Sequence, residues 1–381
     1  MMTGHFPLDV FQTLRTPFYY YDVQLLNETL REINATKGNF DVHYALKANA
    51  NPKLLDIIAK AGLGADCVSG GEIQAARKAG IPPEKIVYAG VGKTDWEIEL
   101  ALNEHIFCFN AESIPELQVI DELARKHNQS ARVCLRINPN VDAHTHHYIT
   151  TGLNENKFGI NLSELPEVIG VLKGLSNIEL IGLHFHIGSQ ITDMDVFKNL
   201  SIKINEIQQS FSILHPPFSI INCGGGLGIN YEHPNHIPMA NFKTYFDTFR
   251  KHLQLREGQN VHFELGRSVV APCGSLITRV LYVKKGVQKQ FAIVDAGMSD
   301  LLRPALYQAQ HRIENLTSNE PEEIYDVVGP ICESSDVFST EYQMNQARRG
   351  DIIALRSAGA YGEAMASTYN QRELPRAIYS E

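Results

Sequence analysis

The chain has 381 residues, 44% hydrophobic and 20% charged, with a formal net charge of −9. That balance excludes global disorder, collagen and coiled coil, and the acidic charge argues against sequence-independent nucleic-acid binding. The length predicts two or three domains, or one large barrel with an addition.

Short β-branched or aromatic runs alternate with amphipathic stretches along most of the chain. After a β-rich N-terminal stretch, Thr-Pro-Phe-Tyr-Tyr-Tyr-Asp, strands are predicted at 41–46, 62–68, 85–89, 106–109, 131–137, 178–187, 219–223 and 261–265. Helices are predicted at 52–61, 71–79, 95–104, 113–127, 163–174, 193–213 and 239–254. In 113–127, Ile114, Leu117, Ile120, Leu123 and Ala124 recur at helical spacing, and Ser113 with Glu116 forms a capping-box candidate. Eight strands separated by helices predict a (β/α)8 TIM-type barrel over 25–265, with an open doubly wound sheet as the alternative. Strand-like runs at 275–284, 291–295, 324–332 and 351–356 predict a second, all-β domain over 266–381, joined by the N-terminal residues 1–24.

No apolar run approaches the ~18 residues that span a bilayer, and the N-terminus lacks a signal-peptide pattern. The cysteines at 67, 108, 134, 223, 273 and 332 form no C-x-x-C pair. A cytoplasmic protein with reduced thiols is expected.

Barrel enzymes keep their chemistry at the C-terminal ends of the strands. Lys47 follows the first predicted strand directly. It is either a surface lysine or a partly desolvated Schiff-base lysine. Asp66 and Ser69 close the second strand, and Arg136 and Asn138 close the fifth. His184, His186 and Ser189 end the sixth. The two histidines lie on one strand face, as core residues, as metal ligands, or with one of them stacked on a flat cofactor. The run His144-Thr145-His146-His147 reads as a polar loop or a metal site. Gly224-Gly225-Gly226 follows the seventh strand, where backbone N–H groups can approach a phosphate closely. Glu264, Gly266 and Arg267 end the eighth, where a carboxylate can meet a protonated ring nitrogen or simply pair at the rim. A Schiff-base lysine, a phosphate cradle, a stacking ring and an acid for a pyridinium are the parts that pyridoxal phosphate asks for.

The ordered motifs carry a resemblance that covers almost the whole chain. They are Tyr44-Ala-Leu-Lys-Ala-Asn49, Asp66-Cys-Val-Ser-Gly-Gly-Glu72, Arg136-Ile-Asn-Pro-Asn-Val-Asp142, Thr151-Gly through Asn156-Lys-Phe-Gly159, and His184-Phe-His-Ile-Gly-Ser189. Then follow Gly224-Gly-Gly-Leu-Gly228, Glu264-Leu-Gly-Arg267, Arg303-Pro-Ala-Leu-Tyr307, Cys332-Glu-Ser-Ser-Asp336 and Gly359-Ala-Tyr-Gly362. The chain resembles the fold-type III pyridoxal phosphate-dependent decarboxylases, and most closely those that act on diaminopimelate.

The resemblance implies decarboxylation of meso-2,6-diaminopimelate to L-lysine and CO2, with another basic amino acid or carboxynorspermidine as the alternative substrate. Under it, Lys47 carries pyridoxal 5'-phosphate and His186 stacks on its ring. Asp66 belongs to the cofactor site. Ser189, Gly224, Gly225, Gly226, the Gly266–Arg267 backbone and Tyr361 hold the phosphate, and Glu264 bonds the pyridinium nitrogen. Arg267, Arg303, Tyr307, Glu333 and Tyr361 contact substrate, and Cys332 delivers a proton. The resemblance also implies a homodimer with Cys332 and Glu333 serving the partner's site, and no metal, nucleic acid or membrane. One departure is Leu265, where the family usually has proline. The loop near 140–160 looks placed to cover the site.

Overall fold

The computed structural model describes residues 6–141, 157–211 and 218–381. His144, His146, His147 and most of the 140–160 loop lie outside the described residues. Packing divides the chain into two units. One comprises Leu30–Gly228 with Asn241–Gly266. The other comprises the chain up to Thr29, Ile229–Ala240 and Arg267–Glu381. Residues 229–240 therefore group with the second unit, although they fall inside the 25–265 span expected of the barrel.

Two helices and a strand come first: α1 (Leu8–Thr13), β1 (Phe18–Tyr21) and α2 (Val23–Thr36). The strand-led reading leaves out α2, which begins where Asp22 Oδ1 accepts the Leu25 N–H at 3.0 Å and buries Leu26, Leu30 and Ile33 along one stripe. Eight strands then follow: β2 (Asp41–Ala45), β3 (Gly64–Cys67), β4 (Ile86–Tyr88), β5 (Cys108–Ala111), β6 (Ala131–Arg136), β7 (Ile178–His184), β8 (Ile220–Asn222) and β9 (Asn260–Leu265). They close a barrel in that order. All neighbours run parallel, and β2 meets β9 with His43 opposite Glu264. The closed barrel, not the open sheet, is thus the fold of this unit.

The returns are made by α3 (Pro52–Lys60), α4 (Gly70–Lys78), α5 (Asp95–Asn103), α6 (Ile114–Lys126), α7 (Leu165–Leu172), α8 (Met194–Phe211) and α9 (Phe242–His252). Parallel neighbours need such crossovers. At α6, Ser113 Oγ accepts the Glu116 N–H as expected, but the Glu116 carboxylate returns to the Glu112 N–H. Outside the strands, α8 and α9 are knitted by aromatic edges: Phe197 meets Tyr245 at 4.8 Å, and Phe249 meets Phe263 of β9 at 4.9 Å.

The second unit contains the short helix α10 (Arg267–Val270) and then β10 (Gly274–Lys285), β11 (Gln290–Val294), α11 (Arg303–Tyr307), β12 (Ile313–Asn315), β13 (Glu322–Val328), β14 (Val337–Asn345), β15 (Ile352–Leu355) and β16 (Arg376–Tyr379). Its strands are ordered β12-β15-β10-β11-β13-β14, with β1 against β10 and β16 against β1. The all-β expectation holds, and the N-terminal strand lies in this sheet. β10 is long enough to pair β1 and β15 with its first half and β11 with its second, across an irregularity between Val280 and Tyr282. β12, β14 and β16 carry no clear period of two in the sequence, because β12 has three residues and the others alternate weakly. Among the described residues, no helix is long and apolar enough to cross a membrane.

Candidate active site

Lys47 sits in a 3-10 turn, Leu46–Ala48, immediately after β2. Its Nζ lies 3.1 Å from Asp66 Oδ2 at the end of β3. The lysine side chain is 37% exposed, whereas the aspartate is fully buried. Burial pushes the Asp66 carboxyl up, Glu264 adds to it, Lys47 opposes both, and the result is a pKa of about 6.

Glu264, near the end of β9, is the centre of the buried polar network. Its Oε1 accepts from Asn110 Nδ2 at 3.0 Å and Asn222 Nδ2 at 2.7 Å, and its Oε2 meets His184 Nε2 at 2.9 Å. Burial would raise its pKa, but hydrogen-bonded His184 and the Lys47 ammonium outweigh burial and hold the group well below the usual carboxylate range. The network is therefore an anion kept ionised away from water.

The chain after β8 packs tightly against the backbone of Glu264 and Phe185. A Cβ on Gly225 would lie 2.0 Å from the Glu264 carbonyl oxygen, and one on Gly224 would lie 2.1 Å from that of Phe185. Gly224 and Gly226 also take φ of +69° and +102°. Only glycine fits there. Gly225 N–H donates to His186 Nδ1 at 3.4 Å. Burial, then Arg136 and Lys47, push the His186 pKa well below that of free histidine, so its ring is neutral. The ring is half-buried, as is Ser189 two residues beyond a buried Ile187. Leu265 continues β9, opposite Tyr44, and Gly266 packs beside Ala45 and Ala48, 3.1 Å from where its own Cβ would be. Leucine thus leaves Glu264 in register.

The barrel unit brings Lys47, Asp66, His186, Gly224, Gly225, Gly226 and Glu264 to one set of strand ends. Arg136 is engaged elsewhere. Its Nη1 pairs with Glu112 at 3.0 Å, and Glu112 also takes the Gly90 and Gly159 N–H groups. Asn138 Nδ2 reaches Asn161 Oδ1 at 3.2 Å.

In the all-β unit, Arg267 Nη1 donates to Tyr231 Oη at 2.7 Å, and its guanidinium lies 4.9 Å from the Tyr361 ring centre. Arg303, buried at the start of α11, lies 4.8 Å from the Tyr231 ring. Tyr307 is half-buried on the same helix. Cys332 is exposed, whereas the other five cysteines are buried, so it is not the small core residue that a cysteine often is. Its N–H donates to Asn370 Oδ1 at 3.0 Å, and the neighbouring Glu333 carboxylate accepts from Tyr369 Oη at 2.5 Å.

Residues 23–271 match the family described as "Pyridoxal-dependent decarboxylase, pyridoxal binding domain". Over 383 aligned residues the chain is 60% identical to the diaminopimelate decarboxylase of Bacteroides thetaiotaomicron, covering 100% of this chain and 99% of that one. The chain belongs to the diaminopimelate decarboxylase family. Among solved structures, the Helicobacter pylori member crystallised with L-lysine superposes with a TM-score of 0.92 at 42% identity, covering 98% of this chain and 94% of that one. The Vibrio vulnificus lysine/ornithine decarboxylase shares the fold, with a TM-score of 0.86 at 20% identity.

Sequence reasoning misses several residues of these two networks, one in each unit. Asn110 and Asn222 stand at the ends of β5 and β8, where a polar residue after an apolar run is the available signal. The sequence leaves three roles open for His184; in the structure it bonds Glu264. Tyr231 and His311 sit in loops with no local pattern to mark them.

Proposed function

We propose that this chain decarboxylates meso-2,6-diaminopimelate to L-lysine and CO2 with pyridoxal 5'-phosphate. Glycines that no side chain can replace form a backbone cradle, and a buried carboxylate is kept ionised at the neighbouring strand end. Lys47 Nζ stands at the barrel rim. An anionic phosphate, a protonated ring nitrogen and a carbonyl would each meet their complement, so the residues fit the group.

Bound there, pyridoxal phosphate supplies a sink for the electron pair left by a departing carboxylate. The protein's part is to hold and orient. Lys47 would hold the cofactor through Nζ, with Asp66 steadying the ammonium before attachment. Gly224 to Gly226, Ser189, the Gly266–Arg267 backbone and the Tyr361 hydroxyl would bind the phosphate. His186, neutral and half-buried, would lie against the ring. Glu264 would accept the ring N–H and keep it protonated. Arg267, Arg303, Tyr307, Glu333 and Tyr361 would bind the substrate, and the Cys332 thiol would deliver the proton that replaces CO2.

Arg303 carries the choice of substrate. It is buried, its neighbours His311 and Tyr231 are not acids, and among the described residues no carboxylate pairs with it. A buried guanidinium calls for an anion. Diaminopimelate offers one in its distal carboxylate; a diamine-forming substrate such as ornithine or lysine ends in an ammonium that Arg303 would repel. Arg303→Ala is expected to cut kcat/KM for diaminopimelate by about 10²–10⁴, the loss of two charge-assisted hydrogen bonds of about 1.5–3 kcal/mol each. CO2 and lysine released in equal amounts measure it, and unchanged turnover would sink the assignment.

The working form would be a homodimer in which Cys332 and Glu333 serve the partner's site. The exposure of Cys332 supports this reading, since a proton donor used within its own chain has no reason to face solvent. Six free thiols suit a cytoplasmic enzyme.

A further inference from the structure

Arg303 is gripped in a way that selects which edge of its guanidinium is offered. His311, just before β12, is buried and both ring nitrogens are engaged: Nδ1 lies 2.8 Å from the Arg356 carbonyl oxygen and Nε2 lies 2.8 Å from Arg303 Nη1. A carbonyl can only accept, so Nδ1 carries the proton and donates to it. A guanidinium can only donate, so Nε2 must present its lone pair. Both partners dictate the same neutral tautomer. Burial first, then the Arg303 charge, push the His311 pKa down to about 3, which keeps that tautomer through the working range.

The guanidinium carbon lies 4.8 Å from the ring centre of Tyr231, and that ring in turn makes an edge contact with His311 at 5.1 Å and 79°. Tyr231 Oη accepts from Arg267 Nη1 at 2.7 Å, so the tyrosine cannot swing away without breaking that bond. Arg303 Nη1 is thus taken, while Nε is buried and has no hydrogen-bond partner among the described residues. Nε and Nη2 form the side-on fork that grips a carboxylate with two parallel bonds.

We propose that His311 is a positioning residue that sets substrate choice. By occupying Nη1 as a fixed acceptor, it turns the Nε/Nη2 edge of Arg303 toward the substrate's distal carboxylate. This rests on the reading of Arg303 given above. His311 touches no substrate and acts only through the arginine.

The test uses the cofactor-loaded enzyme and four variants. His311→Asn keeps a donor for the Arg356 carbonyl but is too short to reach Arg303. His311→Gln restores an acceptor at the Nε2 position. Arg303→Ala and the double variant His311→Asn/Arg303→Ala complete a cycle. His311→Asn is expected to raise KM for diaminopimelate about ten- to a hundredfold, the worth of a buried bond to a charged group, with kcat nearly unchanged. His311→Gln should recover most of that loss, and in the Arg303→Ala background His311→Asn should add almost nothing. An unchanged KM, a fall confined to kcat, no recovery with glutamine, or losses that simply multiply in the double variant would each overturn the proposal. Arg303→Ala alone separates the two failures. If it leaves diaminopimelate turnover intact, the substrate reading falls and the role of His311 with it. If it does not, and His311→Asn is silent, only the positioning role falls.

Discussion

Replacing Glu264 by glutamine removes a charge while leaving nearly every contact in place. The two asparagine donors on Oε1 can be kept by the amide oxygen. The amide nitrogen would then face His184 Nε2, which now lies against Oε2. Among the described residues His184 Nδ1 has no hydrogen-bond partner, so the ring can carry its proton there and accept at Nε2. The fold therefore loses little, and the effect falls on whatever ring the carboxylate faces. At about 4 Å and an effective dielectric of about 20, a unit charge favours a protonated ring nitrogen by about 4 kcal/mol. That corresponds to about a thousandfold in the protonated population, and kcat for diaminopimelate is expected to fall by a similar factor. The assay is initial CO2 release at saturating substrate, with bound cofactor followed by its visible absorbance. The variant should retain its cofactor, so that the loss is one of turnover and not of loading. A kcat within tenfold of the parent, with cofactor bound, would refute the charge argument.

Asp66 makes a prediction about stability. Its folded pKa is about 6 against a reference of 3.8, so the folded state holds its proton more tightly than the unfolded state. A raised carboxyl costs nothing below the unfolded pKa and progressively more as pH rises to the folded one. Between pH 4 and 7 the cofactor-free parent should lose about 2 kcal/mol relative to Asp66→Asn, read as the change in their difference in urea unfolding; a difference independent of pH would contradict the burial argument. Gly225→Ala must push its Cβ against the Glu264 carbonyl, and it should abolish cofactor retention during gel filtration while the parent keeps it. Lys47→Ala and Cys332→Ala should each be inactive, yet after co-refolding an equal mixture should regain about a quarter of parental activity, since half the dimers are mixed and each mixed dimer has one intact site. No recovery would show that each chain uses its own cysteine.

The barrel was legible because each strand and its returning helix announce themselves locally. A period of two changes to a period of 3.6 within a few residues, and the eight predicted strands are the eight that close. The segments that escape a local reading follow the same logic. α2 has an adequate stripe in Leu26, Leu30 and Ile33 but directly follows a run of tyrosines that reads as strand. β12 is too short to show any period, and β16 joins β1 from the far end of the chain, a pairing no local window contains.

The candidate site divides along the same line. Lys47, Gly224 to Gly226 and Glu264 can be picked out one at a time, since each is an unusual residue at the end of an apolar run, and the order of motifs tells which family they resemble. What those residues are depends on neighbours distant in sequence. Asn110, His184 and Asn222 reach Glu264 across 154, 80 and 42 residues, and only their convergence makes it a buried anion instead of a rim carboxylate. Composition and periodicity determine which segments become strands, because those preferences are set by each residue's own side chain. Charge state, tautomer and the edge that a guanidinium presents are decided only when closure of the barrel and folding of the sheet remove water and supply specific partners, because electrostatics in a protein depends on what surrounds a group and not on what precedes it in the chain.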